Sequence, residues 1–159
     1  MSNPNDHPIH LGHLFFTRVR VEAIGEHEPT DEPVDMKPQN SINVRQDLTD
    51  KCVYQAVMHS VCNLEGDAAM PYLIDVEAVA MLHASEDLSP EEAKRGITIT
   101  AHSVLFGAIR EAVMWLTSRQ PYGPVMFGLS VLTPRTRPSS DGAGDPAATE
   151  PSQSAATVR

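Results

Sequence analysis

The sequence predicts an α+β domain, in which a four-stranded antiparallel sheet is packed by a long helix and a short helix and followed by a disordered C-terminal tail. Three observations lead there. Alternating apolar and polar side chains recur in four stretches ahead of Ala84. Helical spacing takes over after a capping sequence at Ser89. From Thr133 onward the chain is dominated by Pro, Ser, Ala, Gly and Thr, without one aromatic, a composition that cannot bury enough apolar surface to fold.

The totals narrow the class of protein. A chain of 159 residues makes one domain with a core that needs no metal or disulfide staple. Its expected divisions are a flexible N-terminus over 1–12, a folded domain over 13–132 and the tail over 133–159. The formal charge is −9, and no basic stripe concentrates the twelve Lys and Arg, which argues against a nucleic-acid partner. Cys52 and Cys62 form no metal-type spacing, and Cys62 reads as a small buried hydrophobe. Neither a signal-peptide core nor an apolar run of about eighteen residues stands out, so the expectation is a reduced, cytoplasmic protein without membrane insertion.

The elements follow in order. In "LFFTRVRVEAI" the alternation places Phe15, Thr17, Val19, Val21 and Ala23 on one side and Arg18, Arg20 and Glu22 on the other. "GEHEPTDEPVDMKPQN" is an acidic, proline-broken connection, and "SINVRQDL" is a short strand with Ile42 and Val44 on one face. "VYQAVMHSVCNLE" and "YLIDVEAVAMLHA" are longer strands joined through "GDAAMP" as an antiparallel hairpin. In the second, Tyr72, Ile74, Val76, Ala78, Ala80 and Leu82 share a side. Its other side carries Leu73, Asp75 and Glu77 before turning apolar at Val79 and Met81.

"SPEE" is a helix start, with Ser89 as N-cap, Pro90 in the first turn and Glu92 completing a capping box. A short helix and a connection should lead from it into the long helix, at about 101–119. Around that long helix the apolar residues Val104, Leu105, Phe106, Ala108, Ile109, Ala112, Val113, Trp115 and Leu116 fill an arc of roughly 200°. A helix with one buried face needs about half of that. The excess asks for a second partner. Beyond it, "YGPVMFGLSVL" is extended rather than helical.

Catalytic frameworks are missing: there is no phosphate-binding glycine loop, nucleophile elbow or HExxH zinc motif. His7, His10 and His13 invite a zinc site, yet the segment lies ahead of the first predicted strand and reads as an incidental cluster. His59, His83 and His102 fall on different elements and read as core-edge histidines. Asp75 and Glu77 share a strand face, but nothing apolar is predicted to raise either pKa, so they read as solvated. Phe15, Phe16, Met36, Tyr54, Met58, Tyr72 and Met81 suit either a core or an adaptable apolar binding surface, and composition does not choose between the two.

Four collinear stretches between residues 14 and 132 resemble the SecB protein-export chaperone family. "LFGAIREAV…SRQ" stands in register with the family's "LFPYAREXI…SRG", matching Leu105, Phe106, Arg110, Glu111, Ser118 and Arg119. "MKPQNSINV" is similar to the family's crossover loop and following strand, with Met36 where an aromatic is usual and Pro38, Ile42 and Val44 matching. "VYQAVM" resembles the next strand, and "YLIDVEAVAML" resembles "FLCEVxQxGIF" through Tyr72, Leu73, Asp75, Val76 and Met81.

The resemblance implies a chaperone without enzymatic activity, ATP or other cofactor, assembled as a homotetramer (a dimer of dimers). Such a chaperone holds unfolded precursor proteins competent for translocation and delivers them to the motor SecA. By matched position, Phe15, Met36, Ile42, Val44, Met58 and Tyr72 would line the client groove. Glu22, Leu73 and Asp75 would face SecA, and Phe106, Val113 and Trp115 would meet a neighbouring subunit. The chain also departs from the pattern: Arg18 stands where an acid is usual, Gly107 replaces a proline, and the final amphipathic helix is missing. These departures fit the alternative of a specialised relative, serving one client such as an antitoxin or carried by a phage without SecA handover.

Overall fold

The structure, a computed structural model, describes residues 7–31 and 34–132. Its elements are β1 (Ile9–Ala23), β2 (Gln39–Gln46), β3 (Val53–Cys62), β4 (Tyr72–Ala84) and α1 (Pro90–Thr117). The strands form one antiparallel sheet in the order β1-β4-β3-β2, with α1 laid across one face. This is the α+β architecture the sequence predicts, with one helix fewer. The predicted tail over 133–159 lies outside the described residues.

β4 is the central strand, and its alternation is plain. Tyr72, Ile74, Val76, Ala78, Ala80 and Leu82 are all buried under α1. In antiparallel pairs, directly opposed residues share a face. Ala56, Met58, Ser60 and Cys62 of β3 therefore join that side, as do Ile42 and Val44 of β2. The turn between β3 and β4 carries Asn63 and Gly66 at φ 56° and 70°. Asn63 steadies it, its Nδ2 donating to the carbonyls of Asp67 and Tyr72 at 3.1 Å each.

β1 corrects the predicted faces. It begins at Ile9, inside the segment expected to be loose, and carries register shifts between Leu11 and His13 and between Phe16 and Arg18. Each bulge adds one residue to β1 alone, which exchanges the side chains between faces. Val19, Val21 and Ala23 face the helix opposite Val76, Ile74 and Tyr72, as expected. Phe15 does not join them. It pairs with Val79 on the open face of the sheet, while Phe16 pairs with Ala78 on the helix side.

The second correction concerns the helix. No connection interrupts it: α1 runs from Pro90 through "RGITIT", where a glycine and four β-branched residues predict a break. Tertiary contacts override that weak propensity. Ile97 and Ala101 are fully buried, and a side chain at Gly96 would collide with Ile9 of β1. The capping box forms as predicted, Glu92 N donating to Ser89 Oγ at 3.3 Å and Ser89 N to Glu92 Oε2 at 3.1 Å. Unbroken, α1 is long and apolar enough to cross a membrane by length and composition, contrary to the expectation of no such run. Its buried row of Ala93, Ile97, Ala101, Leu105, Ile109 and Val113 instead packs on the chain's own sheet.

Candidate functional site

Two flanks of α1 remain open to the solvent. On the β1 side, Phe16, Ala108, Ala112, Trp115 and Leu116, with Glu111 at the rim, line an open groove of about 390 Å³. Trp115 is 56% exposed, its ring covered by the Arg119 guanidinium at 4.0 Å. Leu11 and Val19 continue the apolar strip along β1. Of the three predicted interface residues, only Trp115 lies on this surface. Phe106 and Val113 are buried against the chain's own core. The 200° arc thus divides into a covered row and an exposed flank, with Phe106 and Val113 in the row.

On the β2 side, the chain after α1 returns as an extended strap. Tyr72 anchors its start, the hydroxyl donating to Gly123 O at 2.8 Å and accepting from Tyr122 N at 3.1 Å. Val125 N donates to Thr117 Oγ1 at 2.9 Å, and Phe127 is fully buried. Further along, Ser130 Oγ accepts from Asn40 Nδ2 at 3.3 Å and lies 3.0 Å from His102 Nε2. Burial lowers the pKa of His102, whose imidazole stacks on the Phe106 ring. Between strap and sheet edge lies a cavity of about 490 Å³, bordered by Met36, Pro38, Asn40, Phe106 and the strap residues 128–131.

The predicted groove set is not assembled as one open surface. Met36, Met58 and Tyr72 are buried within the folded chain, and Ile42 and Val44 are half-buried beside them. Phe15 sits on the opposite face, its ring 5.4 Å from that of His13. Only Met36 borders the cavity by the strap. Sequence reasoning missed Phe127 and Ser130. The signal available was the apolar "VMFGLSVL" following a helix stop.

The open face of the sheet brings Glu22, Leu73 and Asp75 together, since Glu22 pairs with Leu73 and Arg20 with Asp75. Glu22 and Asp75 each have a basic partner there. Arg20 grips Glu22 through Nε and Nη2, at 2.8 and 3.0 Å. His59 Nε2 lies 2.7 Å from Asp75 Oδ1, and Arg18 Nη1 reaches both Asp75 oxygens at 3.4 Å. Thr17 donates to Glu77 at 2.6 Å. Glu22 and Asp75 are thus each paired with an arginine. Leu73 is buried and offers little to a partner.

The remaining candidates fall elsewhere. His7 Nδ1 bonds the backbone of Ile9, His10 pairs with His83, and His83 packs over Gly12, where a side chain would meet its ring at 2.9 Å. Among the described residues, no three His, Cys, Asp or Glu converge as a metal ligand set. Cys62 is buried, which pushes its thiol pKa up.

No family model and no curated protein matches the sequence. Solved structures do match the fold. A Mycobacterium tuberculosis SecB-like chaperone, Rv1957, in complex with a ChAD peptide from the HigA1 antitoxin superposes with a TM-score of 0.61. The two are 16% identical, over 79% of this chain and 91% of that one. The chain has a SecB-like fold. A protein of unknown function from Streptococcus agalactiae matches more loosely, with a TM-score of 0.49 and 12% identity over 76% of this chain and 97% of that one.

Proposed function

We propose that this chain is an ATP-independent chaperone that binds extended segments of unfolded polypeptide and carries out no chemistry of its own. The observation that carries the proposal is that the chain's own two layers leave both flanks of α1 apolar, with only the strap laid over the β2 side. Exposed apolar surface of this kind, framed by open sheet edges, suits partners of varied sequence, because backbone and apolar side chains supply the contact. Holding the unfolded state shifts its equilibrium by mass action and needs no fuel. The SecB-like fold, and the antitoxin peptide held by the similar M. tuberculosis protein, support the same function.

In this proposal the β1-side groove is covered by a second copy of the chain. Trp115 and Phe16 lie at the centre of that contact, and homotetramer assembly follows the family pattern. The chaperone works in the cytoplasm, where Cys52 and Cys62 stay reduced. Export of precursors through SecA is the general form of the function. A single dedicated client, such as an antitoxin, is the specialised form, and the compensated charges of Glu22 and Asp75 favour it. A basic motor tail steered by long-range attraction meets little net negative field there.

Diluting an unrelated denatured enzyme into the chain, without nucleotide, tests the general function. Suppressed light scattering supports a broad holdase. Undiminished scattering together with recovery of one stoichiometric protein from lysate supports the specialised form. No effect and no recovered client would reject both.

A further inference from the structure

The strap is held to the described chain by few bonds. No backbone–backbone hydrogen bond ties 126–132 to the rest of the described residues, and its hold comes from buried Phe127, half-buried Leu132 and the side-chain bonds at Ser130. Leu129 and Val131 point outward, 90% and 81% exposed, and so contribute little to keeping it in place. The segment is extended, apolar and uncharged, which is the chemistry of an unfolded client. It also borders the cavity at Met36, Pro38, Asn40 and Phe106, next to β2, whose outer edge carries no partner strand among the described residues.

We propose that residues 126–132 are an autoinhibitory strap: they occupy the client's place between α1 and the start of β2, and an extended apolar client segment displaces them. This rests on the chaperone function proposed above. Asn40 acts as the switch point. Its Nδ2 holds Ser130, while its Oδ1 accepts from the buried Ser60 hydroxyl at 2.7 Å, so the amide stays oriented toward the cavity when the strap leaves. An incoming backbone carbonyl could then take the bond that Ser130 gives up.

The test uses the full chain and its Ser130→Ala variant, with labelled, reduced and carboxymethylated α-lactalbumin as a permanently unfolded probe. Losing a neutral hydrogen-bond acceptor shifts the closing equilibrium by about fivefold. The variant should therefore bind the probe about fivefold tighter, because less affinity is spent on opening. Fluorine-labelled Phe127 should shift from a buried to a solvent-exposed resonance when the probe is bound, and Leu129→Ser should leave affinity unchanged. If Ser130→Ala binds equally or more weakly, or Phe127 stays buried in the complex, the strap is a wall of the groove and this inference fails alone. If neither the wild-type chain nor the variant binds the probe, the chaperone function fails and the strap's role falls with it.

Discussion

His59 Nε2 lies 2.7 Å from Asp75 Oδ1 on the open face of the sheet, across the β3–β4 pairing, and Arg18 approaches the same carboxylate from β1. Three adjacent strands are thus joined through one acid. Partial burial favours the protonated form of Asp75, but the hydrogen bond with His59 and the charge of Arg18 outweigh it and hold the pKa below the usual range. A depressed carboxyl pKa stabilises the fold above the ordinary value of about 3.9 and loses that contribution as the pH falls through the folded value. Asp75→Asn should lower stability at pH 7 by about 1 kcal/mol and flatten the acid limb below about pH 4. Urea unfolding at several pH values measures both.

The same pairing masks the acids of the open face. Replacing Arg18 and Arg20 together by serine leaves Glu22 and Asp75 with two cations fewer. The double variant should bind a short oligolysine peptide at low salt, and the gain should disappear near physiological ionic strength, where the screening length is about 8 Å. Isothermal titration of wild type and variant checks this. Equal affinities would show that the arginines do not govern the field.

Tyr72 links the central strand to the turn after α1, and its hydroxyl is both donor to Gly123 O and acceptor from Tyr122 N. Tyr72→Phe strands both backbone groups in a largely buried site, at a cost of about 1–3 kcal/mol. The thermal midpoint should fall, and exchange of the Tyr122 amide should quicken. Retained stability would mean that water replaces the hydroxyl.

Trp115 and Ile109 lie on different sides of α1, one exposed and one fully buried. Trp115→Glu should reduce the native mass to that of a smaller species while far-ultraviolet circular dichroism stays unchanged. Ile109→Ala should cost about 2–5 kcal/mol of stability through the cavity it leaves. Sedimentation and thermal melts separate the two effects. A tetramer that survives Trp115→Glu would place the interface elsewhere.

Much of this architecture was legible from the sequence, for identifiable reasons. β4 is flanked on both sides by strands, so its inward residues alternate without interruption from Tyr72 to Ala84. β1 misled because bulges near Gly12 and Thr17 leave no compositional trace beyond a glycine, and each inverts the faces. The break predicted in α1 followed from real propensities in "RGITIT", which packing against Ile9 overrides. Groove and interface residues were hardest. An apolar side chain such as Met58 or Val113 has the same pattern whether it meets its own sheet or a partner, and only the fold decides. The strap was legible as an extended segment but its docking was not, because Ser130 is bonded by Asn40, ninety residues earlier, and by His102, and no local signal encodes those contacts.

The central claim is that the flank of α1 beside β2 receives unfolded polypeptide. Fluorescence anisotropy of a labelled, permanently unfolded polypeptide, titrated with the full-length chain in the absence of nucleotide, tests it most directly. Saturable binding at micromolar concentrations of the chain is the predicted result. No rise in anisotropy at micromolar concentrations of an intact, folded chain would contradict the account.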